Sequence, residues 1–228
     1  MDLTDLRAFE ADTAAIVPGF QLAWKDKSSS QKLLGAIMKP FNPGFMTSYT
    51  TTFYPKVYFP TQERYESDPT RSFMTLAHER VHLLDTKASP LGFRLSYIYP
   101  QVLFVPFVIV GVVLAVFFGW WSLIAFGLGL LCLAPWPSPG RVRLEQRGYA
   151  MSLATLYWLT GDISFARKDS IRKQFLTMAY FKMSWSPKAI DKWLTDTEVA
   201  IRNGTLAAND PVYGDVLKFL QSRGKARA

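Results

Sequence analysis

The sequence predicts an α+β fold, mainly helical, with a short β-hairpin or edge strand and an inserted hydrophobic helical hairpin. Three observations carry this expectation. The run SYTTTFYPKVYF from Ser48 to Phe59 is rich in β-branched and aromatic residues, which suit a pleated, half-buried surface. Apolar residues recur at helical spacing on both sides of that run. Between Leu95 and Gly140 there is no Asp, Glu, Lys or Arg, and such a stretch is too long and too apolar for an ordinary core helix.

Taken in chain order, Leu3 to Val17 has helical spacing and stops at Pro18-Gly19. The triple serine Ser28-Ser29-Ser30 suits a linker and helix cap, leading into a short helix from about Gln31 to Met38. Within the strand-like run, Pro55 marks an edge position or the hairpin bend. Glu63 to Pro69 is polar and predicts a loop. A strong helix follows from about Thr70 to Lys87, with Phe73, Leu76, Val81 and Leu84 as apolar residues.

The uncharged stretch divides at Gly119-Trp120-Trp121 into pieces of about Ile98 to Phe118 and Ser122 to Trp136. Each is near the lower limit for crossing a hydrocarbon core of about 30 Å. Tyr97, Tyr99, Trp120, Trp121 and Trp136 stand at the ends, where an aromatic belt places them. The alternative is a helical hairpin buried inside a soluble protein. Beyond Arg141 the pattern returns to amphipathic helices: Val142 to Leu159, Ser170 to Met183, Pro187 to Arg202 and Tyr213 to Ser222. The organisation expected is thus 1–97, a hydrophobic hairpin over 98–136, and a helical part over 137–228.

Composition excludes several classes. The single cysteine, Cys132, lies in the apolar stretch, so neither a disulfide framework nor a cysteine-rich zinc site is available. The segment from Met1 to Asp12 lacks the apolar core of a secretory signal. The net charge of +8 does not read as nucleic-acid binding, because the basic residues are not interleaved with aromatics. Instead Lys87 and Arg94 precede the apolar stretch, and Arg141, Arg143 and Arg147 follow it. Positive charge there predicts a lipid-embedded hairpin with its flanks on the cytoplasmic side.

Chemistry concentrates in LAHERVHLLD, where His78-Glu79-Arg80-Val81-His82 forms an H-E-x-x-H arrangement. On a helix, residues four apart share one face, so both imidazoles reach one zinc ion. Glu79 is then placed to act as general base on a water. His78 and His82 are the only histidines of the chain. A catalytic zinc takes three protein ligands, so the third must be a carboxylate. Glu145 is the best candidate, since the apolar hairpin returns the chain to the side it left. The other reading of Glu145 is an exposed partner of Arg141 or Arg147. Asp85 either orients a histidine from behind or caps the helix end with Thr86. Tyr149, one turn after Glu145, either offers its hydroxyl to an oxyanion or packs in the core; Arg147 is a weaker candidate for the oxyanion.

This order of H-E-x-x-H helix, apolar hairpin and glutamate helix resembles the gluzincins. More narrowly, it resembles the HtpX-like membrane metallopeptidases and the CAAX prenyl proteases, over about Ser48 to Leu159. The resemblance implies a zincin-like fold and zinc-dependent peptide-bond hydrolysis at a membrane, but the family's substrate class does not carry over. The strand-like run Tyr49–Phe59 is where an extended peptide or protein substrate is expected to lie. Two features depart from the resemblance. The usual E-x-x-A-D pattern is here Glu145-Gln146-Arg147-Gly148-Tyr149, with tyrosine in place of the supporting aspartate. A first transmembrane hairpin is also missing. The alternative is a zincin-like membrane interaction or structural protein without catalysis.

Overall fold

The computed structural model describes residues 1–40, 42–134, 136–177 and 182–227. Helix α1 (Leu3–Ile16) begins at Asp2, whose side chain accepts from the Asp5 amide while Asp5 returns the contact. That reciprocal cap satisfies two amides with no partner in the first turn. Strand β1 (Gln21–Trp24) follows, then α2 (Ser29–Met38), which Ser28 caps. The SYTTTFYPKVYF run folds as β2 (Thr51–Phe53) and β3 (Lys56–Phe59), with Pro55 in the bend. The sheet order is β1-β3-β2, β1 parallel and β2 antiparallel to β3. β2 is therefore an edge strand, in register Thr52 to Val57.

Two corrections to the sequence reading concern this half. β1 was not anticipated, because its four residues pair only with a strand more than thirty positions away. The expected loop over 63–69 is instead α3 (Gln62–Ser67), where Thr61 accepts from the Arg64 amide and Tyr65 is buried. A single anchoring aromatic and a good cap outweigh the polar composition.

Helix α4 (Pro69–Ala88) carries the H-E-x-x-H motif, starting on an Asp68 cap with Pro69 in its first turn, a position where proline costs no hydrogen bond. The chain turns through α5 (Pro90–Ile98), then α6 (Phe104–Phe118) and α7 (Ser122–Cys132). Helix α8 (Pro139–Thr160) opens on Ser138 and ends at Gly161 in the left-handed conformation, φ 81°. It is followed by α9 (Phe165–Leu176), α10 (Pro187–Arg202), α11 (Thr205–Asn209) and α12 (Pro211–Ser222). The helix expected over Ser170 to Met183 instead begins at Phe165 and ends at Leu176, where Thr177 turns extended; residues 178–181 of that expectation, and Pro135 at the end of the second apolar piece, lie outside the described residues.

One hydrophobic core takes Leu6 and Phe9 from α1, Val57 and Phe59 from β3, Phe73 and Leu76 from α4, Met151 and Leu153 from α8, and Val216 and Leu220 from α12. The chain before and after the apolar hairpin thus shares a core, and α4 lies directly against α8.

The hairpin stands apart from it. Gly119, at φ 55°, turns the chain, and the arms pack where Gly111 meets Phe126 and Gly129 meets Phe107. The helical run Gln101–Cys132 contains an 18-residue window of mean hydropathy 2.9 that is only 6% buried. Val116 is 75% exposed and Phe117 73%. The alternative of a hairpin buried inside the protein is thereby overturned. Arg141 is not a free flanking charge: it is buried, donating to the Tyr97 carbonyl (2.8 Å) and to Gln101 Oε1 (3.3 Å).

Lys25 is fully buried, donating to the Phe45 carbonyl at 2.8 Å. Burial pushes its pKa down to about 8, with the charge of Glu79 opposing. Between about pH 8 and 10.5 the unfolded chain holds a proton that folded Lys25 has released. Stability contributed by this site therefore rises with pH across that window, by up to about 3 kcal/mol. Comparing urea unfolding of the parent and Lys25→Met at about pH 7.5 and about pH 10 checks this. The parent is expected to gain about 2 kcal/mol on the variant; a constant difference rules out a depressed Lys25.

Candidate metal centre

Helices α4 and α8 bring His78, His82 and Glu145 together from positions far apart in sequence. All three are buried, and one ligand atom from each lies within 4.8 Å of the others. His78 Nε2 is 3.1 Å from His82 Nε2 and 3.6 Å from Glu145 Oε2, and His82 Nε2 is 3.8 Å from Glu145 Oε1. Ligands at 2.0–2.2 Å from a tetrahedral zinc stand about 3.4 Å apart, so the three separations bracket the spacing the ion needs. Burying a carboxylate raises its pKa, but the His78 and His82 imidazoles and the Tyr97 hydroxyl bring Glu145 down to about 2. Glu145 is thus held ionised, as a carboxylate facing a cation would have to be. The reading of Glu145 as an exposed partner of Arg141 or Arg147 is overturned by its 3% exposure.

The supports behind these ligands come from residues the sequence reading did not select. His78 Nδ1 lies 3.1 Å from Ser152 Oγ, and Ser152 donates in turn to the Gly148 carbonyl at 3.4 Å. This fixes the ring with Nε2 facing the cluster. Gly148 lies directly beneath that ring: a Cβ there would stand 2.5 Å from His78 Nε2. Tyr97 Oη donates to Glu145 Oε1 at 2.8 Å, so this tyrosine supports a ligand instead of serving only a membrane belt. Gly148 and Ser152 sit three and seven residues after Glu145, on the same helix face, and that spacing was the available signal. Tyr97 had none. Ser152→Ala and Tyr97→Phe are each expected to weaken zinc binding about 10–100-fold, as measured by chelator competition. Unchanged affinity in both would show that the ligands need no such support.

Around the cluster, Thr52 Oγ1 on β2 donates to Glu79 Oε2 at 2.7 Å, so the edge strand holds the carboxylate beside the first histidine. Tyr149 packs edge-on against the His78 ring, centroids 4.8 Å apart, and burial pushes its phenol well above the usual range. Asp85 does not hydrogen-bond either imidazole. Its carboxylate is 3.1 Å from Arg147, which also reaches Asp210 at 3.2 Å, and His82 Nδ1 has no hydrogen-bond partner among the described residues. The ion pairs with Asp85 and Asp210 occupy the Arg147 guanidinium. Arg80, within the motif, is buried and binds Asp12 of α1 at 2.5 Å, a structural tie between α1 and α4.

Two openings reach the cluster. One, of about 430 Å³, is lined by His78, Glu79 and Tyr149 together with Arg64, Arg71 and Arg167. The other, of about 590 Å³, reaches His78, His82 and Glu145 past Phe45, Phe53 and Phe93.

Fold and site together define a buried, gluzincin-like arrangement: H-E-x-x-H on one helix, a glutamate on a second, and an apolar hairpin between them. The chain has no match among protein-family models, curated proteins or solved structures.

Proposed function

We propose that this protein is a zinc-dependent endopeptidase acting at a membrane surface, with the architecture of a minimal relative of the HtpX-like and CAAX prenyl protease group. The observation that carries the reading is the closed set of three ligand atoms on His78, His82 and Glu145, with Glu79 held beside it by Thr52. Zinc held by these residues would polarise the scissile carbonyl and lower the pKa of a water. Glu79 takes the proton from the attacking water and delivers it to the leaving amine. Tyr149 stays protonated and so keeps a hydroxyl to donate to the oxygen where negative charge develops. An extended peptide pairs with the free edge of β2 over Thr51–Phe53, narrower than the Tyr49–Phe59 run expected from sequence.

The exposed hairpin is the membrane element. Its two ends leave on one face, with Arg94 and Arg143 exposed nearby, which supports a cytoplasmic catalytic part. The purified chain is expected to hold about one zinc per molecule, to lose it in His82→Ala and Glu145→Ala, and to cleave peptides only until a chelator is added, with zinc restoring activity. In a Cys132→Ser background, cysteine probes at 94 and 143 are expected to label from the cytoplasmic face alone. Release of the chain by alkaline carbonate argues against insertion, and full metal occupancy in Glu145→Ala against the ligand set.

A further inference from the structure

The two openings beside the metal centre differ in chemistry, and in the smaller one Arg167 is in no ion pair among the described residues. Arg167, in the first turn of α9, is half-buried; its amide donates to Ser164, but its guanidinium has no hydrogen bond or ion pair among the described residues. Burial depresses its pKa, Arg71 on the same rim adds to that, and only Tyr149 opposes; no carboxylate contributes. The rim carboxylates and Arg64 are engaged: Glu79 accepts from Thr52. Arg64 donates to the Thr47 carbonyl, and Asp68 caps α4 by accepting from the Arg71 amide. A guanidinium withdrawn from water beside another arginine is unfavourable until an anion joins it, and its planar fork fits a carboxylate.

We propose that this cleft is the substrate subsite for a carboxylate, gripped by Arg167 with Arg71 assisting. The substrate class is then a peptide bearing either an acidic side chain near the scissile bond or its own C-terminal carboxylate. This rests on the peptidase reading of the metal centre. Arg167 lines the same opening as His78 and Glu79, so a carboxylate held there lies beside the metal centre. A lipid phosphate is the less suitable occupant, because Phe93, Tyr97 and Ile98, which lead into the hairpin, line the other opening.

The test uses the full-length, zinc-loaded chain in detergent and quenched peptides in matched pairs. One series exchanges Glu for Gln at each position flanking the cleaved bond; the other exchanges a C-terminal acid for an amide. One of these exchanges is expected to lower kcat/KM about ten- to hundredfold, mainly through KM. The series that responds tells a side chain from a chain terminus. In Arg167→Gln the acid-to-neutral ratio is expected to collapse towards one, and Arg167→Lys to restore part of it. A ratio that survives in Arg167→Gln, every peptide being slowed alike, overturns the proposal and makes Arg167 a general stabiliser. Should no peptide be cleaved at all, the peptidase reading fails by itself. Fluorescence anisotropy of a labelled acidic peptide and its neutral twin then still reads the subsite: a preference lost in Arg167→Gln upholds it, and equal binding overturns it. Loss of binding to anionic vesicles in Arg167→Gln, without any peptide preference, also overturns it in favour of a lipid headgroup.

Discussion

Gly148→Ala is expected to weaken metal binding about a hundredfold or more in a protein that still folds. The added methyl would lie 2.5 Å from His78 Nε2, 2.7 Å from Cε1 and 2.9 Å from Cδ2, all inside van der Waals contact. The imidazole has little room to retreat, since Ser152 holds its Nδ1 and Tyr149 packs edge-on against it. Helix α8 itself gains, because alanine favours a helix interior over glycine by about 1 kcal/mol. Circular dichroism is therefore expected to show helix content like that of the parent, while zinc affinity falls by about a hundredfold or more, as loss of a properly aimed ligand requires. Parental affinity in the folded variant would mean that the His78 ring does not bind over Gly148.

That glycine also shows where the sequence stops being informative. The His78, His82 and Glu145 cluster was legible because it is local or exclusive: His78 and His82 lie four residues apart on one helix, and no third histidine exists to compete with Glu145. The apolar hairpin was legible from its missing charges. What holds the ligands in place is tertiary. Thr52 reaches Glu79 across 27 positions and Tyr97 reaches Glu145 across 48, and neither spacing leaves a periodic trace. Tyr97 was drawn towards a membrane belt by its place in the chain, and only the packing of α5 against α8 turns it to the site. Asp85 shows the converse. Its place one turn past His82 suggests a supporting carboxylate, but the ion pair with Arg147, itself shared with Asp210, turns it away. Ser152, seven residues after Glu145 on the inward face of α8, takes the supporting role for His78 that the Tyr149 position does not fill.

Glu79→Gln separates the chemistry from the metal. Glu79 contributes none of the three ligand atoms of the cluster, so the amide variant is expected to keep about one zinc per chain, with an affinity close to that of the parent. It can still accept a hydrogen bond from Thr52, and its volume is nearly unchanged, so the cleft keeps its shape. What it cannot do is take a proton from water. Loss of general-base catalysis of this kind costs about 10²–10⁴-fold, and the loss should fall on kcat with KM little altered, because the amide leaves substrate contacts in place. Thr52→Val adds a graded control. It removes the 2.7 Å hydrogen bond that aims the carboxylate but leaves the base itself, and is expected to lower kcat by about tenfold, in keeping with one hydrogen bond to a charged group. Zinc content by elemental analysis and steady-state hydrolysis of one peptide by parent and both variants are sufficient. Full activity in Glu79→Gln would remove Glu79 from the chemistry and leave His78, His82 and Glu145 as a metal site without its base; a Thr52→Val variant slower than Glu79→Gln would show that Thr52 acts on the site by another route than Glu79.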